Sequence, residues 1–177
     1  MIILGTDPGL DGAIALIDSA TGLRDVLDIP TSSNGTASGS MRRQVDASGL
    51  VEALIEWRRR HEFAREAVHG VIERPIPMPS LPAQTIASQF DTFGVLRAVM
   101  AALGWPVAVV EPARWKKTYT FGTDKNGARA TCLRLYPAAP VTLVKHHNRA
   151  EAILIGHWYL QQHEGDREAR ALDWAGA

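Results

Sequence analysis

The sequence predicts an α/β fold, a mixed five-stranded sheet flanked by helices, and three observations predict it. Three apolar runs, residues 2–5, 12–18 and 23–29, follow one another across short turns, the pattern of an antiparallel meander. Beyond residue 50, segments with helical spacing alternate with two short apolar runs, 68–74 and 107–110, the pattern that adds parallel strands to a sheet. The chain has 177 residues, 46% hydrophobic and 21% charged, enough for one core and one domain spanning 1–177.

The elements follow in order. Ile2-Ile3-Leu4-Gly5 and the run from Gly12 to Asp18 are joined by a turn of Pro8, Gly9 and Asp11. Residues 31–40, rich in Ser, Thr, Gly and Asn, read as a flexible loop. Asp46 or Ser48 caps a helix over 50–65, with Leu50, Leu54 and Trp57 on one face. Its Arg58-Arg59-Arg60 run reads as a solvated face. After the 68–74 strand, Pro75, Pro77, Pro79 and Pro82 impose an extended loop. A helix over 84–103 carries Phe93, Leu96, Met100 and Leu103 on one stripe, and Gly104 suits its end. A short helix over 113–117, a loop through Gly122 and a helix over 125–135 closed by Pro137 come next. The last helix covers 149–163, with Ile155, Trp158 and Tyr159 apolar, and the polar tail 164–177 frays.

Composition excludes several classes. Cys132 is the single cysteine, so neither a disulfide framework nor a cysteine zinc site is available, which fits a reducing compartment such as the cytoplasm. No basic-then-apolar leader opens the chain, and no run reaches the length of a membrane span. Formal net charge is zero, yet segment 113–149 holds eight basic residues against one acid, Asp124. Such a local field binds phosphate even on a neutral protein.

Carboxylates recur at strand ends. Asp7 closes the first apolar run, Glu73 the fourth and Glu111 the fifth, while Glu151 lies in the first turn of the last helix. Buried strands rarely carry an unpaired charge, because desolvating it is costly. In α/β sheets the carboxyl ends of strands are where ligands bind. Each carboxylate also has a local reading: Asp7-Pro8-Gly9 as a turn, Glu73 paired with Arg74 or Arg97, Glu151 in a capping box with Asn148. Gathered together, they repel one another unless a cation neutralises them, and oxygen ligands select Mg²⁺ or Mn²⁺.

Several stretches resemble a known family. Gly5-Thr6-Asp7-Pro8-Gly9 before Gly12-Ala13-Ile14-Ala15-Leu16 looks like the first motif of RuvC-type Holliday junction resolvases, and Val71-Ile72-Glu73-Arg74-Pro75 resembles the second. Residues 87–97 are similar to the helix that follows, 110–117 to the next strand and basic turn, and 145–155 to the final acidic helix, particularly of phage-type members. The likeness runs in register across 2–160. It implies an RNase H-like fold, a homodimer, and cleavage of four-way junctions or other branched DNA with Mg²⁺ or Mn²⁺, two ions per active site. It carries metal binding and catalysis onto Asp7, Glu73 and Glu151, and adds His147 as a further ligand or catalytic group. The chain departs from the pattern at His146, where many relatives have an acid.

The chemistry follows from the residue types. Two cations about 4 Å apart can activate a water and stabilise the leaving 3′-oxygen of a phosphodiester. Imidazole suits proton transfer near neutral pH, which is the role open to His147, the other being a surface position at a helix start. Lys116, Lys117, Lys125, Arg129 and Arg74 are the expected DNA contacts. Phe90 and Trp115 read either as base-stacking residues or as core. Two other readings stand beside the resolvase: a junction-binding protein with weak or no cleavage, motivated by His146, and a nuclease acting on other structured nucleic acid such as RNA.

Overall fold

The computed structural model describes residues 1–35, 41–120 and 124–175; at 34, 35, 41, 66, 125 and 165–175 it describes the backbone. Seven strands and five α-helices run in the order β1 (Ile2–Asp7), β2 (Ala13–Asp18), β3 (Gly22–Asp28), β4 (Thr31–Gly35), β5 (Met41–Val45), α1 (Ala47–Arg60), β6 (Val68–Glu73), α2 (Ala83–Ala102), β7 (Val107–Val110), α3 (Pro112–Tyr119), α4 (Lys125–Leu135) and α5 (His147–Ala175). The main sheet has the order β3-β2-β1-β6-β7. β1, β2 and β3 pair antiparallel, and β6 and β7 extend the sheet in parallel from β1.

Side-chain alternation splits the core in two. Ile2, Leu4, Ile14, Leu16, Val68 and Ile72 face one way and pack with Leu50, Leu54 and Trp57 of α1 and Phe93, Leu96 and Met100 of α2. Ile3, Ala13, Ala15, Ile17 and Val71 face the other way and pack against Ile153, Leu154 and Trp158 of α5, with Trp115 of α3 and Cys132 of α4. Burial pushes the Cys132 thiol up to about 12.

Three expectations change. The Ser-rich stretch 31–40 is not simply a loop: residues 31–35 and 41–45 form an antiparallel hairpin, Thr31 opposite Val45, and 36–40, with Ser40, lie outside the described residues. The helix predicted over 50–65 is shifted, because the Asp46 carboxylate accepts the Gly49 amide at 3.0 Å and starts α1 early, and Glu62 at positive φ follows its end. The last helix starts at His147, two residues before the expected 149, and its backbone is helical to Ala175. Gly122 is outside the described residues. Among the described residues no helix is long and apolar enough to cross a membrane.

α5 lies directly over β1. A Cβ on Gly5 would stand 2.3 Å from the Ala152 carbonyl oxygen and 2.5 Å from the Gly156 nitrogen, both backbone atoms that cannot swing aside. Gly5→Ala is therefore expected to lower stability by ~3 kcal/mol or more in urea unfolding. Gly94→Ala, at an exposed position on α2 with no atom within 4 Å of the new methyl, is expected to raise it by ~0.5–1 kcal/mol. Equal effects of the two would show that helix and strand do not meet backbone to backbone.

Candidate active site

Two-residue periodicity aims the site. Ile3 and Gly5 face α5, so Asp7 does too, and Glu73 follows Val71 onto the same face. The last β1–β6 pair is Thr6–Ile72, which leaves Asp7 and Glu73 side by side at the next step, on strands about 4.8 Å apart. Glu151 comes from above. It lies five residues before Gly156, a rise of about 7.5 Å along the helix, and Asp7 lies two residues beyond Gly5, about 6.6 Å along the strand. The Gly5–Gly156 contact thus sets Glu151 at the level of Asp7.

α3 closes the arrangement. Trp115 is fully buried and its indole N–H donates to Glu73 Oε2 at 2.5 Å. The next residue, Lys116, places Nζ 3.0 Å from Glu151 Oε2 and 5.1 Å from the centre of the Trp115 ring. Burial alone would lower the Lys116 pKa, but Glu73, Glu151 and Asp7 outweigh it and hold the ammonium above its usual value. Burial raises the Glu73 carboxyl, with Glu151 and Glu111 adding to the rise and Lys116 and Trp115 opposing it. Asp7, Glu73, Lys116 and Lys117 line a cavity of about 760 Å³ with Ile76 and Met78 of the proline loop on its rim.

The remaining expected residues are distributed around this centre. His146 and His147 line a different cavity, about 700 Å³, with Asp28, Lys145 and Arg149. His146 Nδ1 accepts the Leu143 amide at 3.4 Å, and His147 Nδ1 lies 3.3 Å from the Val144 carbonyl. Partial burial, then Arg149 and Lys145, draws His146 below its ordinary pKa. Lys117 is exposed on the main cavity and Arg74 is exposed 3.9 Å from Glu111. Arg129 donates to the Val141 and Thr142 carbonyls at 3.0 and 2.6 Å, tying down the loop after α4. Lys125 opens α4. Phe90 is half-buried. Glu151 pairs with Lys116, and Asn148 donates to the Asp11 carbonyl at 2.8 Å.

Sequence reasoning missed the inward turn of Lys116, which the adjacent Trp115 signals: a large apolar side chain that buries itself brings its neighbour to the rim of the same pocket. It also missed Arg42 and Arg43, which line a cavity of about 500 Å³ on another side of Asp7. Among the described residues no three His, Cys, Asp or Glu side chains converge closely enough to hold a metal ion. The donor chemistry fits a hard cation: Asp7, Glu73 and Glu151 offer carboxylate oxygens, and their negative charge raises the pKa of the Lys116 ammonium, which pairs with Glu151.

A pH test follows. Glu73 has a folded-state pKa above its free value of 4.5, so its contribution to stability is present below that value and is lost as pH rises through the folded pKa. Lys116→Met removes the main opposing charge and raises that pKa further. In metal-free buffer the variant is expected to be less stable than the parent by ~2 kcal/mol at pH 8, the gap narrowing toward pH 5. A gap independent of pH would separate Lys116 from Glu73.

No family model and no curated protein sequence matches the chain. Solved structures do. RuvC of Thermus thermophilus in complex with a Holliday junction substrate is similar at 15% identity and a TM-score of 0.62, over 92% of this chain and 96% of that one. A further Thermus thermophilus RuvC structure is similar at 14% identity and a TM-score of 0.51, with the same coverage. The strand order, the flanking helices and this end-to-end match together give the chain the RNase H-like α/β fold of RuvC.

Proposed function

We propose that the protein is a metal-dependent endonuclease that resolves four-way DNA junctions. The observation that carries the reading is the placement of Asp7 and Glu73 side by side at the carboxyl ends of the parallel strands β1 and β6, with Glu151 of α5 paired to the Lys116 ammonium. The shared fold with a RuvC solved in complex with a Holliday junction substrate supports four-way junctions as the substrate class. Asp7, Glu73 and Glu151 would hold Mg²⁺ or Mn²⁺, with His147 as the fourth candidate. Held by those carboxylates, such ions would supply activation of the attacking water and stabilisation of the departing 3′-oxygen. The protein's own groups do the rest. Trp115 fixes the Glu73 carboxylate, Lys116 balances its charge, and exposed Lys117 and Arg74 hold phosphates on the approach to the cavity. His147 is placed to exchange a proton only if it turns from its own cavity toward the carboxylates.

One observation favours a second reading. The Lys116–Glu151 ion pair already satisfies part of the charge that a metal would neutralise, as suits a protein that binds junctions and cleaves them weakly or not at all. A synthetic four-way junction separates the two: cleavage with Mg²⁺ or Mn²⁺ supports the nuclease, and binding in EDTA without cleavage in either metal supports the binder. Competition by structured RNA tests for an RNA substrate.

Asp7→Asn is expected to lower junction cleavage at least ~1000-fold while affinity in EDTA changes by less than ~3-fold, since affinity rests on Lys and Arg. Unchanged turnover of the folded variant would remove Asp7 from the site. A symmetric junction needs two matched cuts, so the active species is expected to be a homodimer. Light scattering with and without junction should report two chains per particle, and one chain in both conditions would end that part of the proposal.

A further inference from the structure

We propose that the β4–β5 hairpin is a DNA-backbone clamp, in which Arg42 and Arg43 hold the phosphates of the strand as it leaves the carboxylate site. The inference rests on the nucleic-acid reading above, and it assigns the clamp to a part of the chain outside the basic segment 113–149.

Geometry comes first. The cavity of about 500 Å³ beside the hairpin and the one of about 760 Å³ at Glu73 share Asp7, Gly9 and Gln89, so they form one trough that passes over Asp7. At one end the trough carries Lys117, at the other Arg42 and Arg43. A trough with cations at both ends and Asp7 midway suits an extended polyanion crossing the site rather than a small ligand enclosed in it.

The donor set comes second. Around Arg42 and Arg43 the walls are Gln84, Thr85, Ser88, Gln89 and Asn148, side chains that can donate hydrogen bonds to phosphate oxygens without selecting a base. The acids there are Asp7 and Asp11. Asp11 is engaged: Arg43 binds its carboxylate at 2.5 Å, and its carbonyl accepts from Asn148. That pairing fixes the hairpin to the turn beside Asp7 and to the start of α5, and it leaves Arg43 still 43% exposed in its side chain. Arg42 is exposed, and among the described residues its side chain makes no ion pair or hydrogen bond. An exposed guanidinium next to one already oriented by Asp11 suits paired contacts to phosphate.

The experiment is equilibrium binding of a labelled four-way junction in EDTA over a range of salt, which leaves cleavage out of the measurement. Arg42→Ala is expected to weaken binding ~5–10-fold and to flatten the plot of log affinity against log salt by about one unit, and the Arg42→Ala, Arg43→Ala double variant by about two. Arg42→Lys should keep most of the slope. Arg58→Ala, an exposed arginine on α1, serves as the equal-charge control and should bind like the parent. If the parent binds and Arg42→Ala matches it, or loses no more than Arg58→Ala, the clamp is overturned and the functional reading stands. If the parent binds no branched DNA, the functional reading fails and the clamp fails with it. Because Arg42 makes no side-chain contact that the fold uses, circular dichroism of Arg42→Ala should be unchanged, and a loss of structure would overturn the description of Arg42 as uncommitted.

Discussion

The distance at which α5 rides over β1 governs the site. Two glycines, Gly5 and Gly156, let helix and strand meet through their backbones, and no longer side chain could hold them at that separation. Everything chemical in the molecule depends on that contact. Asp7 is delivered by a strand and Glu151 by a helix, and their common level follows from how far each lies from the glycine pair. Ile3, Ala13, Ala15 and Ile17 on the sheet and Ile153 and Leu154 on the helix then lock the register by burial.

Charge is the second constraint. Three carboxylates on one face of a sheet would repel one another and lose their hydration, and burial already holds Glu73 above its normal pKa. The structure offsets this with groups from a single short helix. Trp115 brings a neutral donor to Glu73, and Lys116 brings a full positive charge to Glu151, from adjacent positions on α3. That helix follows β7 directly with Pro112 at its first turn, so the strand that completes the parallel part of the sheet also aims the neutralising pair.

What the sequence made legible was local and periodic. Asp7 and Glu73 stood out because each ends an apolar run, and β7 and α4 were read at their observed bounds because a short apolar run and a proline stop mark them. The pairing of 31–35 with 41–45 was hidden by the Ser, Asn and Gly content of the first strand, the composition of a loop; cross-strand pairing, which propensity does not show, holds the two as strands. Lys116 and Lys117 are indistinguishable as letters in a basic run. Only the burial of Trp115 makes one face the carboxylates and the other face solvent. Arg129 lies in the same basic segment, and its hydrogen bonds to the loop carbonyls of Val141 and Thr142 were not legible in it.

Cys132 lies sealed between α4 and the α5 side of the core, with a thiol held near a pKa of about 12. At neutral pH almost none of it is thiolate, the form that alkylating reagents attack. Its modification therefore has to wait for α4 to lift away from α5, and the rate of labelling measures how often that happens. The single cysteine is in this way a built-in clock for local opening of the helical layer beneath which Trp115 and Lys116 are seated.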